Sequence, residues 1–209
     1  MSLGAELGRK FARFTTNRVV RRPGLWRLFR PLMRAQFDRL APVWDEMRDP
    51  AAFRPLEKAL ASVEPPRRAL DLGTGTGAAA FAVARRFPNA EVVGVDIAPE
   101  MLAEARRKTP LELTDRVRFE QADAERLPFE DRSFDLVSLA NMIPFFDELA
   151  RLVASGGYLV FSFSGGAETP IYVPSDRLRS ELGRRGFADF AEFAEGRGTA
   201  FVARKRHGE

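Results

Sequence analysis

Along the first third of the chain, apolar residues recur at helical spacing. Trp26, Phe29, Met33, Phe37 and Leu40 lie three or four residues apart and form one stripe on a helix. Prolines punctuate the segment at Pro23-Gly24, Pro31, Pro42, Pro50 and Pro55, and Pro65-Pro66 closes it. Pro31 lies inside the stripe, where a missing N–H predicts a kink. The stripe predicts that this segment packs on the rest of the chain. Contact with a membrane surface or a nucleic acid are the alternatives.

From residue 67 the pattern changes to short apolar runs separated by helical stretches. Strands are predicted at Arg68–Leu72, Glu91–Ile97, Arg116–Gln121, Phe134–Ala140 and Tyr158–Ser164. Helices are predicted at Gly77–Phe87, Pro99–Lys108, Phe146–Ala154 (ended by Gly156-Gly157) and Ser175–Arg185 (stopped at Gly186). Ala188–Ala194 and Gly198–Arg204 pair as a final antiparallel hairpin. Near-continuous apolar strands alternating with helices imply a parallel sheet covered on both faces. With right-handed crossovers this is a doubly wound α/β layer.

The length of 209 residues suits one α/β domain with a small appendage. The expected division is a helical extension or lid over residues 1–66 and the α/β domain over 67–209. The chain has no cysteine, which excludes disulfides, thiolate metal sites and a cysteine nucleophile. Its single histidine, His207, stands near the end, so neither a histidine triad nor a metal site is expected. Absence of cysteine, of a long apolar run and of a signal-peptide pattern leads to the expectation of a cytoplasmic protein.

Charge is unevenly spread. Residues 1–34 hold nine Lys or Arg and one acid, Glu6, for a net +8 in a chain of net +4. The remainder is therefore at −4, and any attraction to polyanions lives in the N-terminal arm. Its arginines are interleaved with an apolar stripe that needs burial, so the arm is not expected to read nucleic acid. Its mix of aromatics and arginine fits peripheral membrane contact at least as well.

The chemistry concentrates where the first predicted strand ends, in Asp71-Leu72-Gly73-Thr74-Gly75-Thr76-Gly77. A sharp strand-to-helix turn and a close ligand both favour glycine, and the following helix offers free N–H groups. Gly73, Gly75 and Ala78 also satisfy a dinucleotide-binding pattern, with Asp96 as its ribose acid. Three features favour a methyl-donor site instead. Asp71 would accept from an ammonium group but repel a pyrophosphate. Asp123-Ala124 follows the third strand. The chain is also short for an added dehydrogenase substrate domain.

In order and spacing, ALDLGTGTG (69–77), VVGVDIAPEML (92–102), VRFEQADAERLPF (117–129), SFDLVSLAN (133–141) and ASGGYLVFSFS (154–164) follow a known pattern. They resemble the class I S-adenosylmethionine-dependent methyltransferases, in the small-molecule branch of ubiquinone and menaquinone biosynthesis (methyltransferase type 11 domain). The resemblance implies a Rossmann-like, seven-stranded, mostly parallel sheet with an antiparallel last strand. It implies S-adenosylmethionine as cofactor, held by Asp71, Gly73, Thr74 and Gly75 near the methionine part. Asp96 would hold the ribose hydroxyls, Ile97 would pack on adenine, and Asp123 with Ala124 would meet the adenine amino group. Asn141 would lie near the donor methyl, and Trp44 over the mouth of the site. The 141–146 segment lacks the histidine common in quinone methyltransferases and is not the signature of base N-methylation.

The expected activity is therefore methyl transfer to a small, hydrophobic or aromatic acceptor. The alternatives are an RNA or protein methyltransferase using the basic arm, or a cofactor-binding protein without catalysis. Trp44, Met142, Phe145 and Phe146 are the candidate acceptor pocket. A neutral nucleophile must lose a proton, and Tyr172 is the preferred catalytic candidate, ahead of Asp147, Glu148, Glu168 and Tyr158.

Overall fold

The computed structural model describes residues 3–207. Two helices come first, α1 (Leu3–Arg21) and α2 (Trp26–Leu40), joined by a turn at Pro23–Leu25. Pro31 is accommodated inside α2, which runs unbroken through it. Two short 3₁₀ turns lead to α3 (Arg54–Leu60).

The sheet follows: β1 (Arg68–Leu72), β2 (Glu91–Asp96), β3 (Val117–Gln121), β4 (Phe134–Ala140), β5 (Val153–Phe163), β6 (Phe187–Glu195) and β7 (Gly198–Lys205). Helices α4 (Ala78–Arg86), α5 (Pro99–Arg107), α6 (Phe146–Leu152) and α7 (Ser175–Gly183) connect them. The spatial order is β3-β2-β1-β4-β5-β7-β6, and β7 is antiparallel to both of its neighbours. The expected final hairpin is present, but its second strand is inserted between β5 and β6. This is the expected seven-stranded, mostly parallel layer.

Alternation along the strands splits the core. Leu70, Leu72, Val137, Leu139 and Phe161 face one side, under buried residues of α1, α2, α6 and α7. Ala69, Val92, Leu136 and Val160 face the other, under α3, α4 and α5. Helix α3 buries Leu56, Ala59 and Leu60 completely on that second side, so it covers the sheet like the other layer helices. The extension has no core of its own, because Val19, Val20, Trp26 and Met33 are buried against the sheet's first face.

One expectation is corrected. Gly156-Gly157 does not end the helix after Phe146. That helix stops at Leu152, and the glycines lie inside β5. There the pairing with β4 slips between Phe134 and Leu136, a bulge that needs the left-handed Gly156 (φ +77°). A Cβ on Gly157 would meet the Asp135 carbonyl oxygen at 2.9 Å.

Candidate functional site

Because β1 to β5 are parallel, their carboxyl ends share one edge, and β1 and β4 flank the point where the strand order reverses. In such sheets ligands bind at this edge. Asp71 ends up beside the glycine turn, Asp96 ends β2, Asp123 follows β3 and Asn141 follows β4.

The turn is tight. Gly73 has φ +72°, and a Cβ there would lie 2.7 Å from the Met142 sulfur. Gly73 and Thr74 donate their N–H groups to the Val95 carbonyl (2.8 and 3.0 Å), pinning the turn to β2. The Thr74 hydroxyl lies against Gly94 of β2.

Asp71 is buried within the layer. Its Oδ1 accepts from Ser138 Oγ at 2.9 Å, while Oδ2 has no partner. Burial, with the charge of Asp96 adding, pushes its carboxyl up to about 6; the Thr74 and Ser138 hydroxyls and the Ala80 N–H oppose this only partly. A buried carboxylate oxygen left without a donor fits an ammonium ligand. The folded state keeps a proton between the ordinary 3.8 and about 6 that the unfolded chain has lost. Stability is therefore expected to fall as pH rises through that window. Asp71→Asn should remove this slope and raise the melting temperature at pH 7. A chemical-denaturation series from pH 4 to pH 8 on both forms checks this. Equal slopes would contradict it.

Asp96 accepts from the Gly75 N–H through Oδ2 and from the Ala98 N–H through Oδ1, both at 2.9 Å. It fastens the glycine turn to the end of β2. Burial raises its pKa, and these backbone donors oppose the rise. Asp123 accepts from Trp26 Nε1 at 2.7 Å and from Arg30 at 2.8 Å, both from α2. The Glu125 N–H also donates to it, at 3.0 Å. Ala124 is buried beside it.

Helix α2 therefore crosses the carboxyl edge. At its start, Trp26 packs edge-on against Phe145 (centroids 5.6 Å apart). Near its end, Asp38 accepts from the Glu100 N–H at 3.1 Å, and Ala41 packs with Met101 of α5. Between helix and strand ends is a cavity of about 560 Å³, lined by Arg30, Arg34, Asp38, Ile97, Ala122 and Asp123 among others. The segment after α2 closes over the glycine turn. Trp44 packs edge-on against Phe37 and brings its Nε1 within 3.6 Å of a Cβ position on Gly75. Asp45 accepts from Thr76 Oγ1 at 2.6 Å and from Lys108 at 2.7 Å. Arg48 is mostly buried, donates to Thr76 Oγ1 at 3.4 Å, and feels the charge of Asp71.

Among the residues named from sequence, Asp71, Gly73, Gly75, Asp96, Ile97, Asp123 and Ala124 lie along this edge around the turn and the cavity. Asn141 is left-handed (φ +53°). Its side chain bridges the ends of β4 and β5 through the Ser164 N–H and hydroxyl, each at 3.0 Å. Met142 lies over Gly73, at the glycine turn. Phe145 and Phe146 are buried, the first against Trp26 and the second with Arg185 over its ring. Tyr172 packs on Phe163 and lines a separate cavity of about 170 Å³ with Val173, Leu178 and Phe201. Of the other proton-acceptor candidates, Glu148 is tied to Arg151 and the Leu127 N–H, and Asp147 and Glu168 pair with Arg185 and Arg197. Tyr158 stands in β5 before its core stretch, under Arg204, away from the carboxyl edge.

Sequence reasoning missed Trp26, Arg30 and Arg48. Trp26 was read only as part of a packing stripe, Arg30 only as part of the basic arm's charge, and Arg48 not at all. Nothing local in the sequence joins them to carboxylates and hydroxyls that lie far along the chain.

Three carboxylates thus stand around a glycine turn at the carboxyl edge of a sheet with this strand order. Residues 69–157 match the family described as a methyltransferase domain. The chain is 48% identical over 108 residues to the demethylmenaquinone methyltransferase of Thermus thermophilus, covering 48% of this chain and 49% of that protein. It is 38% identical over 146 residues to the malonyl-[acyl-carrier protein] O-methyltransferase of Halorhodospira halophila, covering 65% and 49%. The chain thus spans about half the length of the curated relatives it matches. Among solved structures, the Haloferax volcanii methyltransferase in complex with the Trm112 activator superposes with a TM-score of 0.69. It is 21% identical, with 82% of this chain and 98% of that chain covered.

Proposed function

We propose that this protein is an enzyme that transfers the methyl group of S-adenosylmethionine to a small hydrophobic or aromatic acceptor. The observation that carries the reading is the buried Asp71 oxygen without a donor, set beside the glycine turn and in line with Asp96 and Asp123. When bound, S-adenosylmethionine supplies a methyl group already activated on a sulfonium.

The chain's own residues would then hold the cofactor and enclose its reacting end. Asp71 would take the ammonium, Arg48 the carboxylate, and the backbone of Gly73 to Gly75 would admit the methionine part. Asp96 would accept from the ribose hydroxyls. Ile97, Ala124 and Asp123 would hold the adenine in the cavity under α2. Trp44, Met142 and Asn141 would wall the reacting end, and α1 and α2 would act as a lid over it. Alignment in a dry site is the main lever for a displacement of this kind, worth about 7–11 kcal/mol. Asn141, held at both ends by Ser164, would orient rather than move protons.

The relatives differ in the acceptors their names give, a demethylated quinone in one and an acyl-carrier protein in another. The acceptor therefore has to be found by experiment. Incubating the full chain with methyl-labelled S-adenosylmethionine and fractionated cell extract is expected to move label into the small-molecule or lipid fraction. Label appearing only in RNA or protein would overturn the small-acceptor reading. Donor binding without transfer to any fraction would favour a cofactor-binding protein without catalysis.

A further inference from the structure

Helix α2 has two apolar stripes, and the sheet accounts for one. Trp26, Met33 and Phe37 turn inward. Leu25, Leu28 and Leu32 recur at i, i+3 and i+7 on another side of the helix, with Phe29, which also packs on the core, at the border between the two. Leu28 and Leu32 are 69% and 61% exposed. From α1, Phe14 is 49% exposed and packs edge-on against Phe29 with centroids 6.3 Å apart, which extends the stripe across the hairpin.

Basic residues surround it. Lys10, Arg18 and Arg21 are exposed on α1 at spacings that share one face with Phe14. Arg22 is exposed at the turn, and Arg27 and Arg39 on α2. No acidic residue occurs between Glu6 and Asp38. Arg18 stands over the Phe14 ring at 5.0 Å, and among the described residues Arg18, Arg21 and Arg22 make no ion pair.

We propose that this outward face of the α1–α2 hairpin docks on an anionic bilayer surface. Phe14, Leu28 and Leu32 enter the headgroup boundary, and Arg18, Arg21 and Arg22 meet lipid phosphates. An apolar stripe rimmed by arginine is the composition of a helix lying in an interface. No described helix is long and apolar enough to cross a membrane, so the contact is peripheral. A nucleic acid would use the arginines and stack on Phe14, but it offers nothing to exposed aliphatic Leu28 and Leu32. A second copy of this face would oppose like charges. The docking does not depend on the reaction proposed above. If both hold, the inner side of the same helix grips Asp123, so the bilayer contact and the donor site share one element.

The test is co-sedimentation of the full chain with vesicles of phosphatidylcholine alone, and of phosphatidylcholine and phosphatidylglycerol in equal parts. Partition into the anionic vesicles is expected, weakening with salt. The doubles Leu28→Ser/Leu32→Ser and Arg18→Glu/Arg21→Glu should each lower it about tenfold or more, with melting temperature unchanged because these side chains are exposed. Should the leucine double fail to fold, Phe14→Ser makes the same test. No partition at low salt would overturn the proposal, as would binding indifferent to the apolar changes. Tighter binding to polyuridylate than to anionic vesicles would also overturn it, in favour of an RNA surface.

Discussion

Replacing Asp96 with alanine is expected to weaken S-adenosylmethionine binding about a hundredfold or more. A carboxylate accepting from two ribose hydroxyls makes charge-assisted hydrogen bonds, each worth about 1.5–3 kcal/mol. In the structure the same carboxylate also receives the Gly75 and Ala98 N–H groups. The alanine variant therefore loses ligand contacts and loosens the turn that carries them. Leaving two backbone donors without acceptors costs about 1–3 kcal/mol each where water cannot reach them. A modest fall in melting temperature should accompany the loss of affinity. Asp96→Glu keeps a carboxylate on a longer stem and should fall between the two. Calorimetric titration of the three forms reads the affinity. Equal affinity in the alanine variant would mean that the ribose lies elsewhere.

The second large effect is expected at Trp26. Its side chain is 3% exposed, packs on Phe145 and donates to Asp123. Trp26→Ala removes a large buried ring, a change that costs about 3–5 kcal/mol. Trp26→Phe keeps most of the packing and removes only the N–H, so it should cost about 1 kcal/mol. Asp123 retains Arg30 and the Glu125 N–H in either case. Unfolding in urea separates the two, with the larger loss of midpoint in the alanine variant. A loss under 1 kcal/mol in Trp26→Ala would contradict the burial of α2 on the sheet. Both variants should also weaken donor binding, since both loosen the helix that roofs the cavity.

The layer itself was legible from periodicity, because buried parallel strands are continuous apolar runs and each ends at a chemically marked turn. The cluster of carboxylates at the carboxyl edge was legible for the same reason: Asp71, Asp96 and Asp123 each sit at a strand end, and parallel strands bring such ends together. Gly156-Gly157 was misread because a glycine pair after a helical stretch carries the same local signal as a helix stop. Only the pairing of β4 with β5 reveals a bulge instead. The seam at residue 66 followed the double proline, yet α3 before it covers the sheet through Leu56 and Leu60. The grip of α2 on Asp123 was invisible for a different reason. It joins residues 97 and 93 positions apart, and neither Trp26 nor Arg30 departs from what a surface helix contains. Met142, read as acceptor wall, lies over Gly73 because the left-handed Asn141 turns the chain back across the edge.

One calorimetric titration reaches the proposed donor site directly. The full chain is titrated at pH 7 with S-adenosylmethionine, its demethylated product and NAD in turn. The account predicts single-site binding of the first two, each raising the melting temperature as a ligand of the native state must, and no heat from NAD. Binding of NAD alone, or of none of the three, would contradict it.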